Sequence, residues 1–452
     1  MSPIRRELGA LWRLAWPLVF TQVGVMMLGV VDTLLLGRLS VEALDAVALA
    51  NMWGWATLAL GMGVVAGMDP LVSQAYGDGD GDGAALALQR GLVVALLVSA
   101  PVALGWAWTE PALLALGQDP EIARLAQSYN VLRAPSVPFL LAFCALRSWL
   151  AGRNLVTPTM WLAAAVNLLN GVLGWALIFG RLGLPRLELV GAAVVASLVW
   201  VAQPLALVAI IRLGGLHKGA WRPWDRRAVE LSGLAQIIRL GVPIGLQLSF
   251  EGSAWSLAAM MAGWLGASAL AGHTIVLNMI ALWFQVPLGI SMAASVRVGN
   301  LLGAGDLLGA RLAGSVSLAL GASVMLIAAS AFVLFRSELP LLFTSDPGVV
   351  ALAAAILPIA GAFQVFDGTQ VVAGGLLRGA GRTRAPALAN LLGYYTLALP
   401  LGAWLGSAGH LGLAGIWWAL LVGLVIVSSL MLFWLRRASH LPLAELRVAV
   451  SG

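Results

Sequence analysis

Long apolar runs recur along the whole chain and are separated by short polar segments. Twelve of them are at least as long as the roughly 20 residues that a helix needs to cross a bilayer. They lie near residues 9–36, 43–70, 86–108, 122–150, 157–180, 189–213, 235–264, 267–300, 307–334, 346–377, 385–407 and 411–435. Hydrophobic and polar residues do not alternate at a period of two, so the runs are not barrel strands. The pattern predicts an all-α membrane protein with twelve transmembrane helices.

A duplication divides these runs into two halves. Shifting the 452-residue chain by half its length pairs Asp80 with Asp306, and the same shift pairs Pro17 with Pro243. Because six spans is an even number, both copies run in the same direction and their symmetry axis lies along the membrane normal. We therefore predict two homologous six-helix lobes, at 1–213 and 235–452. The polar, basic linker 214–234 between them is expected to be a solvated cytoplasmic loop.

Composition and charge support a membrane protein and argue against a nucleic-acid binder. The chain is 60% hydrophobic and only 10% charged, unlike a soluble domain. Its net charge of +6 follows the positive-inside rule, because most of the 26 basic residues fall in the segments expected in the cytoplasm. The exceptions, expected near the opposite face, are Arg38, Arg124, Arg133, Arg181, Arg186 and Arg336. We predict a multi-pass protein of the cell inner membrane with both termini in the cytoplasm.

Several carboxylates lie within or beside the apolar runs, where an ionisable group is costly and usually functional. Asp32 lies in the first run, where it either binds a proton or cation or pairs with Arg38. Glu251 and Asp367 lie mid-span in the second half, far in sequence from any neutralising base. They predict a shared site for a proton or for Na⁺, and the alternative is a protonated acid in a helix–helix hydrogen bond. For Asp69, a helix-end role and a functional role stay open.

Amide side chains in the runs need hydrogen-bond partners, so they line a cavity or join helices. The candidates for a substrate-lining role are Asn170, Gln247, Asn278 and Gln285. The chain contains no GxSxG, HExxH, P-loop or CxxC motif, which argues against an enzyme and against transport driven by ATP. We expect no metal site and no cofactor beyond a coupling ion.

Four segments together resemble the multidrug and toxic compound extrusion family over essentially the whole chain. They are PLVSQAYGDGD at 70–80, the stretch from Pro243 to Glu251, AGHTIVLNMIALWFQVPLGISMAASVRVGNLLGAGD at 271–306 and FDGTQVVAGGLLRGAGRT at 366–383. The resemblance implies a V-shaped pair of bundles around a cavity that opens alternately to the two sides. It also implies export of cationic, amphipathic compounds in exchange for H⁺ or Na⁺.

The resemblance assigns roles to individual residues. Asp32 and Asn170 match positions of the family's N-lobe, and Glu251 and Asp367 match the acidic pair of its NorM-like branch. Gly174 replaces an Asp of some members, and Phe363 replaces a Tyr of some Na⁺-coupled members. Na⁺ needs several oxygen ligands whereas a proton needs one base, so we favour H⁺.

The sequence thus predicts a cation-coupled multidrug efflux antiporter that works as a monomer in the lipid bilayer on drugs and organic cations. The alternative within the same superfamily is a flippase for lipid-linked precursors. A flippase should carry basic residues inside its cavity, whereas the basic residues here lie mostly at span ends. A membrane enzyme or a channel is a third reading. It lacks support because no nucleophile or metal cluster is present and a channel needs no duplicated bundle.

Overall fold

The chain folds entirely into helices and connecting loops over the residues that the computed structural model describes, 2–408 and 411–450. Twelve helices in this part are long and apolar enough to cross a membrane, which confirms the predicted fold class. They are α1 (Pro3–Leu36), α2 (Val41–Gly77), α3 (Gly81–Ala107), α4 (Pro120–Gly152), α5 (Thr157–Phe179), α6 (Glu188–Leu213), α7 (Leu231–Trp264), α8 (Ala267–Gly303), α9 (Leu307–Leu334), α10 (Pro347–Gly379), α11 (Arg384–Ser407) and α12 (Gly412–Ser439). Short helical segments lie at Thr109–Ala115, Arg226–Val229, Leu339–Leu342 and Leu443–Leu446.

Equivalent helices of the two halves begin with the same capping interaction. The Asp80 carboxylate accepts a hydrogen bond from the Gly83 backbone N–H at 2.8 Å, and the Asp306 carboxylate accepts one from Gly309 at 2.7 Å. An Asp at this position satisfies a backbone donor that the helix itself leaves unpaired. The sequence repeat pairs these same residues, so the duplication extends to local structure.

The helices form two compact units, which we describe separately. The N-unit comprises Phe20–Gly245 and the chain from Ala449 onward, and the C-unit comprises the chain up to Val19 and Leu246–Val448. Both boundaries lie inside long helices, just beyond Pro17 of α1 and Pro243 of α7. Proline removes a backbone hydrogen bond and favours a bend at such a point. The first part of α1 therefore belongs to the C-unit and the first part of α7 belongs to the N-unit, so these two parts are exchanged relative to the predicted lobes 1–213 and 235–452. The lobes themselves stay a prediction.

The exchanged part of α1 is held in the C-unit by a buried ion pair. Arg297 of α8 donates from Nε and Nη2 to the two carboxylate oxygens of Glu7, at 2.7 and 2.8 Å. Glu7 is buried, and a two-point contact of this kind fixes both position and orientation. Nearby, Gly289 of α8 lies directly against Val19, where an added Cβ would come within 2.7 Å of the backbone nitrogen.

The exchanged part of α7 is held in the N-unit by glycines. Gly63 and Gly67 of α2 face Gly245 and Gly241 of α7, and a Cβ on any of the four would overlap atoms of the opposite helix. Because apolar side chains gain little by leaving lipid for protein, membrane helices associate through such close backbone packing.

The linker between the halves is mostly exposed and also packs on the N-unit, and its assignment as a solvated cytoplasmic loop stays a prediction. Buried Arg153 donates to the carbonyl oxygens of Leu216 and Lys218 at 2.7 and 2.9 Å. Arg90, which is fully buried, donates to the Arg227 carbonyl at 3.2 Å. These bonds satisfy linker carbonyls that would otherwise face water.

We expect Gly241→Ala to destabilise the protein. The added Cβ would overlap Val64 of α2, and overpacking of this kind costs about 1–3 kcal/mol. The control is Gly9→Ala in α1, where a Cβ meets nothing within 4 Å and the gain in helix propensity is up to about 1 kcal/mol. Thermal unfolding of the purified protein in detergent measures the difference. Equal melting temperatures for the two variants would contradict the proposed α2–α7 packing.

Candidate ion-coupling site

The structure brings the two predicted acids of the C-unit together. Glu251 lies midway along α7 and Asp367 lies in α10, where it is 2% exposed. The side-chain Nε2 of Gln370 donates to Asp367 Oδ1 at 3.2 Å and reaches Glu251 Oε1 at 3.4 Å. One amide nitrogen therefore bridges the half-buried Glu251 and the buried Asp367.

Glycines allow α10 to place Asp367 so deeply. A Cβ on Gly368 would meet Met325 of α9, and a Cβ on Gly375 would meet the carbonyl of Ser291 in α8. The Ser291 hydroxyl also donates to the Val371 carbonyl at 2.6 Å and ties α8 to α10. With neighbours this close, the acid on α10 is shielded from lipid and from water.

Helix α11 adds two further polar side chains to this site. Asn390 is buried, and its Nδ2 donates to the Gln247 carbonyl at 3.4 Å, one turn of α7 from Glu251. Tyr394 is also buried and lies within electrostatic reach of both acids. It belongs to a π-helical stretch, Leu391–Ala398, and such wide turns are frequent at functional sites.

Several oxygen atoms around the acid pair have unused hydrogen-bonding capacity. Within the described part of the chain, Gln370 Oε1, Asn390 Oδ1 and the Tyr394 hydroxyl have no hydrogen-bond partner. Buried polar atoms are usually paired, so these oxygens mark a place for a small polar guest or an ion. Hard cations are bound by oxygen ligands of these kinds.

In the N-unit, Asp32 pairs with Asn170 rather than with Arg38. Asn170 Nδ2 donates to Asp32 Oδ1 at 2.8 Å, and Asn170 is buried while Asp32 is half-buried. Small residues on α5 let α1 approach closely enough for this bond. Gly174, which replaces the second acid of some relatives, would bring a Cβ within 2.7 Å of Leu35 Cδ1. A carboxylate at position 174 would not fit this packing without movement.

Arg133, which the sequence places near the outer face of the membrane, is a buried charge. It is 8% exposed inside the N-unit, and its depth in the membrane stays a prediction. Its guanidinium carbon lies 4.4 Å from the Trp200 ring centre, 4.7 Å from that of Tyr129 and 5.2 Å from that of Trp106. Its Nη1 donates to Asn51 Oδ1 at 2.9 Å, and its charge acts on Asp32. Cation–π contacts make burial of this charge tolerable.

Two of the predicted cavity residues lie apart from the acid pair in their contacts. Asn278 of α8 has an exposed side chain, and Gln285 Nε2 donates to the Ala281 carbonyl of its own helix at 2.9 Å. Gln247 joins the acid site through its backbone carbonyl. A role for these residues in substrate contact stays a prediction.

Sequence reasoning missed Gln370, Asn390 and Tyr394 at the acid pair and Tyr129, Asn51 and Arg133 near Asp32. The sequence spacing of these residues could have indicated part of the site. Gln370 follows Asp367 by three residues and Arg133 follows Tyr129 by four, which places each pair on one helix face. Asn390 and Tyr394 come from another helix, and no local pattern connects that helix to Glu251.

The chain matches known transporters along its full length. The MatE family pattern matches residues 17–176 and 243–404, once in each half. A probable multidrug resistance protein NorM from Bradyrhizobium diazoefficiens is 36% identical over 94% of this chain and 92% of its own length. The multidrug and toxin extrusion protein 1 of Homo sapiens is 32% identical over 93% of this chain and 73% of its own length.

Solved structures share the fold. The crystal structure of the eukaryotic MATE transporter AtDTX14 superposes with a TM-score of 0.87 at 21% identity, over 97% of this chain and 99% of that one. The bent form of the Vibrio cholerae MATE transporter VcmN gives 0.85 at 18% identity, over 97% and 98%. The sequence resemblance is therefore confirmed, as is the expectation that the protein is not an enzyme. The chain belongs to the MatE family of membrane transporters.

Proposed function

We propose that this protein is a proton-coupled multidrug efflux antiporter that exports cationic and amphipathic compounds by alternating access. Support for the substrate class comes from relatives named as multidrug resistance and multidrug and toxin extrusion proteins. The observation that carries the coupling proposal is the acid pair Glu251 and Asp367, bridged by Gln370. The proposal places the protein in the inner membrane with both termini in the cytoplasm, working as a monomer.

The acid pair can couple ion binding to conformation through its charge. Two ionised carboxylates in a buried site repel each other, and one proton shared by the pair removes that repulsion. Loading with a proton therefore stabilises the closely packed arrangement around α10. A drug that binds the other conformation more tightly shifts the equilibrium away from the proton-loaded arrangement and favours proton release. A ligand can shift such an equilibrium only by the difference between its affinities for the two conformations.

Proton coupling is preferred to sodium coupling on the basis of the hydrogen bonds around the pair. Gln370 directs an amide N–H group at both carboxyl groups, whereas a cation there would need an oxygen in its place. The unpaired oxygens of Gln370, Asn390 and Tyr394 would suit Na⁺ after rotation of the two amides. Sodium therefore remains the competing outcome of the experiment below.

Asp32 is the accessory coupling acid of this proposal. The positive charge of Arg133 acts on it, and Asn170 donates to it. A carboxylate stabilised in this way can stay ionised without a bound cation. In the C-unit the charge of Arg378 acts on Glu251, but a second acid, Asp367, lies within electrostatic reach of the same carboxyl group. We therefore assign the main coupling step to the C-unit.

The flippase alternative requires a cation that is available to a phosphate group. Arg133 is a buried cation of the N-unit, but aromatic rings cover it and Asn51 takes one of its donors. Its contacts therefore favour a structural charge over a phosphate-binding one, and the multidrug proposal is retained.

We expect a pH gradient alone to drive ethidium efflux from proteoliposomes, and Asp367→Asn to abolish it. The amide cannot take up the proton that the cycle requires. The control is Asp45→Asn, the same chemical change at an exposed position of α2, which should transport like the wild type.

The same vesicles with a Na⁺ gradient at equal pH identify the ion. Efflux under Na⁺ alone would reverse the coupling assignment, and full activity of Asp367→Asn under either gradient would remove Asp367 from the mechanism. Transport of a lipid-linked precursor without any ethidium efflux would favour the flippase.

Gln370 and Gln364 offer a matched pair of substitutions on α10. Gln370→Leu should reduce proton-driven efflux by about tenfold or more, since a hydrogen bond to a charged group contributes about 1.5–3 kcal/mol. Gln364 is equally buried, but neither amide atom has a partner in the described chain, so Gln364→Leu should keep transport and raise the melting temperature. Efflux assays and thermal unfolding of both variants test this. Equal losses of transport would show that any polar change on α10 is disruptive.

A further inference from the structure

A cleft lies in the C-unit where several spanning helices end. Its volume is about 360 Å³, within the range of roughly 300–1,000 Å³ that small-molecule sites occupy. The ends of α8, α10 and α12, the start of α9 and the short helix Leu443–Leu446 enclose it. Its walls are mainly apolar and include Val298, Leu302, Leu318, Leu376, Leu432 and Leu435. We call it the C-terminal cleft.

Two arginines line this cleft. Arg311 lies near the start of α9 and Arg436 lies in the last turn of α12. Both side chains are exposed, and neither forms an ion pair with a described residue. An apolar pocket with two uncompensated cations is complementary to an amphiphile that carries an anionic head.

The N-unit fills its corresponding space with its own side chains. There, Arg212 in the last turn of α6 lies 4.6 Å from the ring centre of Trp221 in the linker. Trp221 in turn packs edge-on against Trp149 of α4, with ring centres 5.7 Å apart. Two cavities of about 260 and 470 Å³ remain there, and linker residues line both of them. The linker thus supplies both the apolar filling and the partner for the arginine.

The C-terminal cleft has no such filling. The chain after α12 contributes Leu446 to the cleft, and none of its lining residues is aromatic. The half-chain shift pairs Arg311 with Ala85 and Arg436 with Ile210, so both cations of the cleft stand where the N-unit has apolar side chains. The cleft therefore differs from its duplicate in the position of its charges and in the lack of an aromatic lining.

We propose that the C-terminal cleft binds one anionic phospholipid, with an acyl chain between the apolar walls and the phosphate at Arg311 and Arg436. The position of the cleft at the ends of spanning helices puts its arginines near headgroup depth. Basic pockets between transmembrane helices at this depth bind anionic headgroups. Arginine suits the task because its planar fork of donors matches phosphate oxygens.

Native mass spectrometry of the full-length protein in detergent, titrated with phosphatidylglycerol or phosphatidylcholine, tests this proposal. We expect phosphatidylglycerol to bind at least tenfold more tightly. Arg311→Gln/Arg436→Gln should lose about tenfold or more, since each arginine near an anionic headgroup contributes on the order of a fivefold change in affinity. The control Arg384→Gln/Arg437→Gln removes the same charge from exposed positions of the C-unit that do not line the cleft.

A filling variant tests the apolar part of the site. A Cβ on Gly314 would lie 3.7 Å from Leu376 Cδ1, an ordinary contact, so Gly314→Leu should fold and extend into the cleft. It should weaken phosphatidylglycerol binding while both arginines remain, with thermal unfolding confirming an intact protein. Three results would overturn the proposal. These are equal binding by wild type and the Arg311/Arg436 variant, equal binding of the two lipids, and displacement of the lipid by inorganic phosphate at the same concentration.

Discussion

Close backbone packing between helices is the constraint on which the rest of this structure depends. In a bilayer, apolar side chains gain little by moving from lipid to protein, so helices associate where small residues let their backbones approach. Gly375 and Gly379 bring α10 against α8, and Gly368 brings it against α9. Asp367 is buried because these contacts exist, and without them the carboxyl group would face lipid or water. The chemistry of the candidate site is therefore a product of glycine placement several residues away.

The two units stabilise buried charge in different ways. In the C-unit, two acids share the amide donor of Gln370, so the number of protons in the site can change without leaving a charge wholly unpaired. In the N-unit, Arg133 is permanently charged, is covered by aromatic rings and acts on Asp32. A titratable pair suits ion exchange, whereas a fixed cation suits electrostatic support. Duplication followed by divergence thus gives related helices distinct electrostatic tasks.

The sequence alone predicts the helices, the duplication and the acids, because each leaves a local or periodic trace. Apolar runs that are long enough to cross a bilayer indicate transmembrane spans, and a carboxylate within such a run is conspicuous. The exchange of the first parts of α1 and α7 leaves no such trace, although Pro17 and Pro243 mark where it occurs. The burial of Arg133 was not predicted, because the rule applied to it concerns charges in loops and says nothing of packing inside a helix bundle. Asn390 and Tyr394 were missed because their approach to Glu251 depends on how α11 packs against α7.

The exchange of the first parts of α1 and α7 affects how the protein can be assembled. The N-unit lacks its full set of segments until the chain has been synthesised through Gly245, and the C-unit uses residues that were the first to leave the ribosome. Neither half of the gene therefore encodes a self-contained folding module, even though the sequence is a duplication. A break in the linker would leave each fragment without a helical segment that its own unit requires. The boundaries of the two units therefore do not coincide with the boundary of the sequence repeat, although each unit contains six spanning segments in the main.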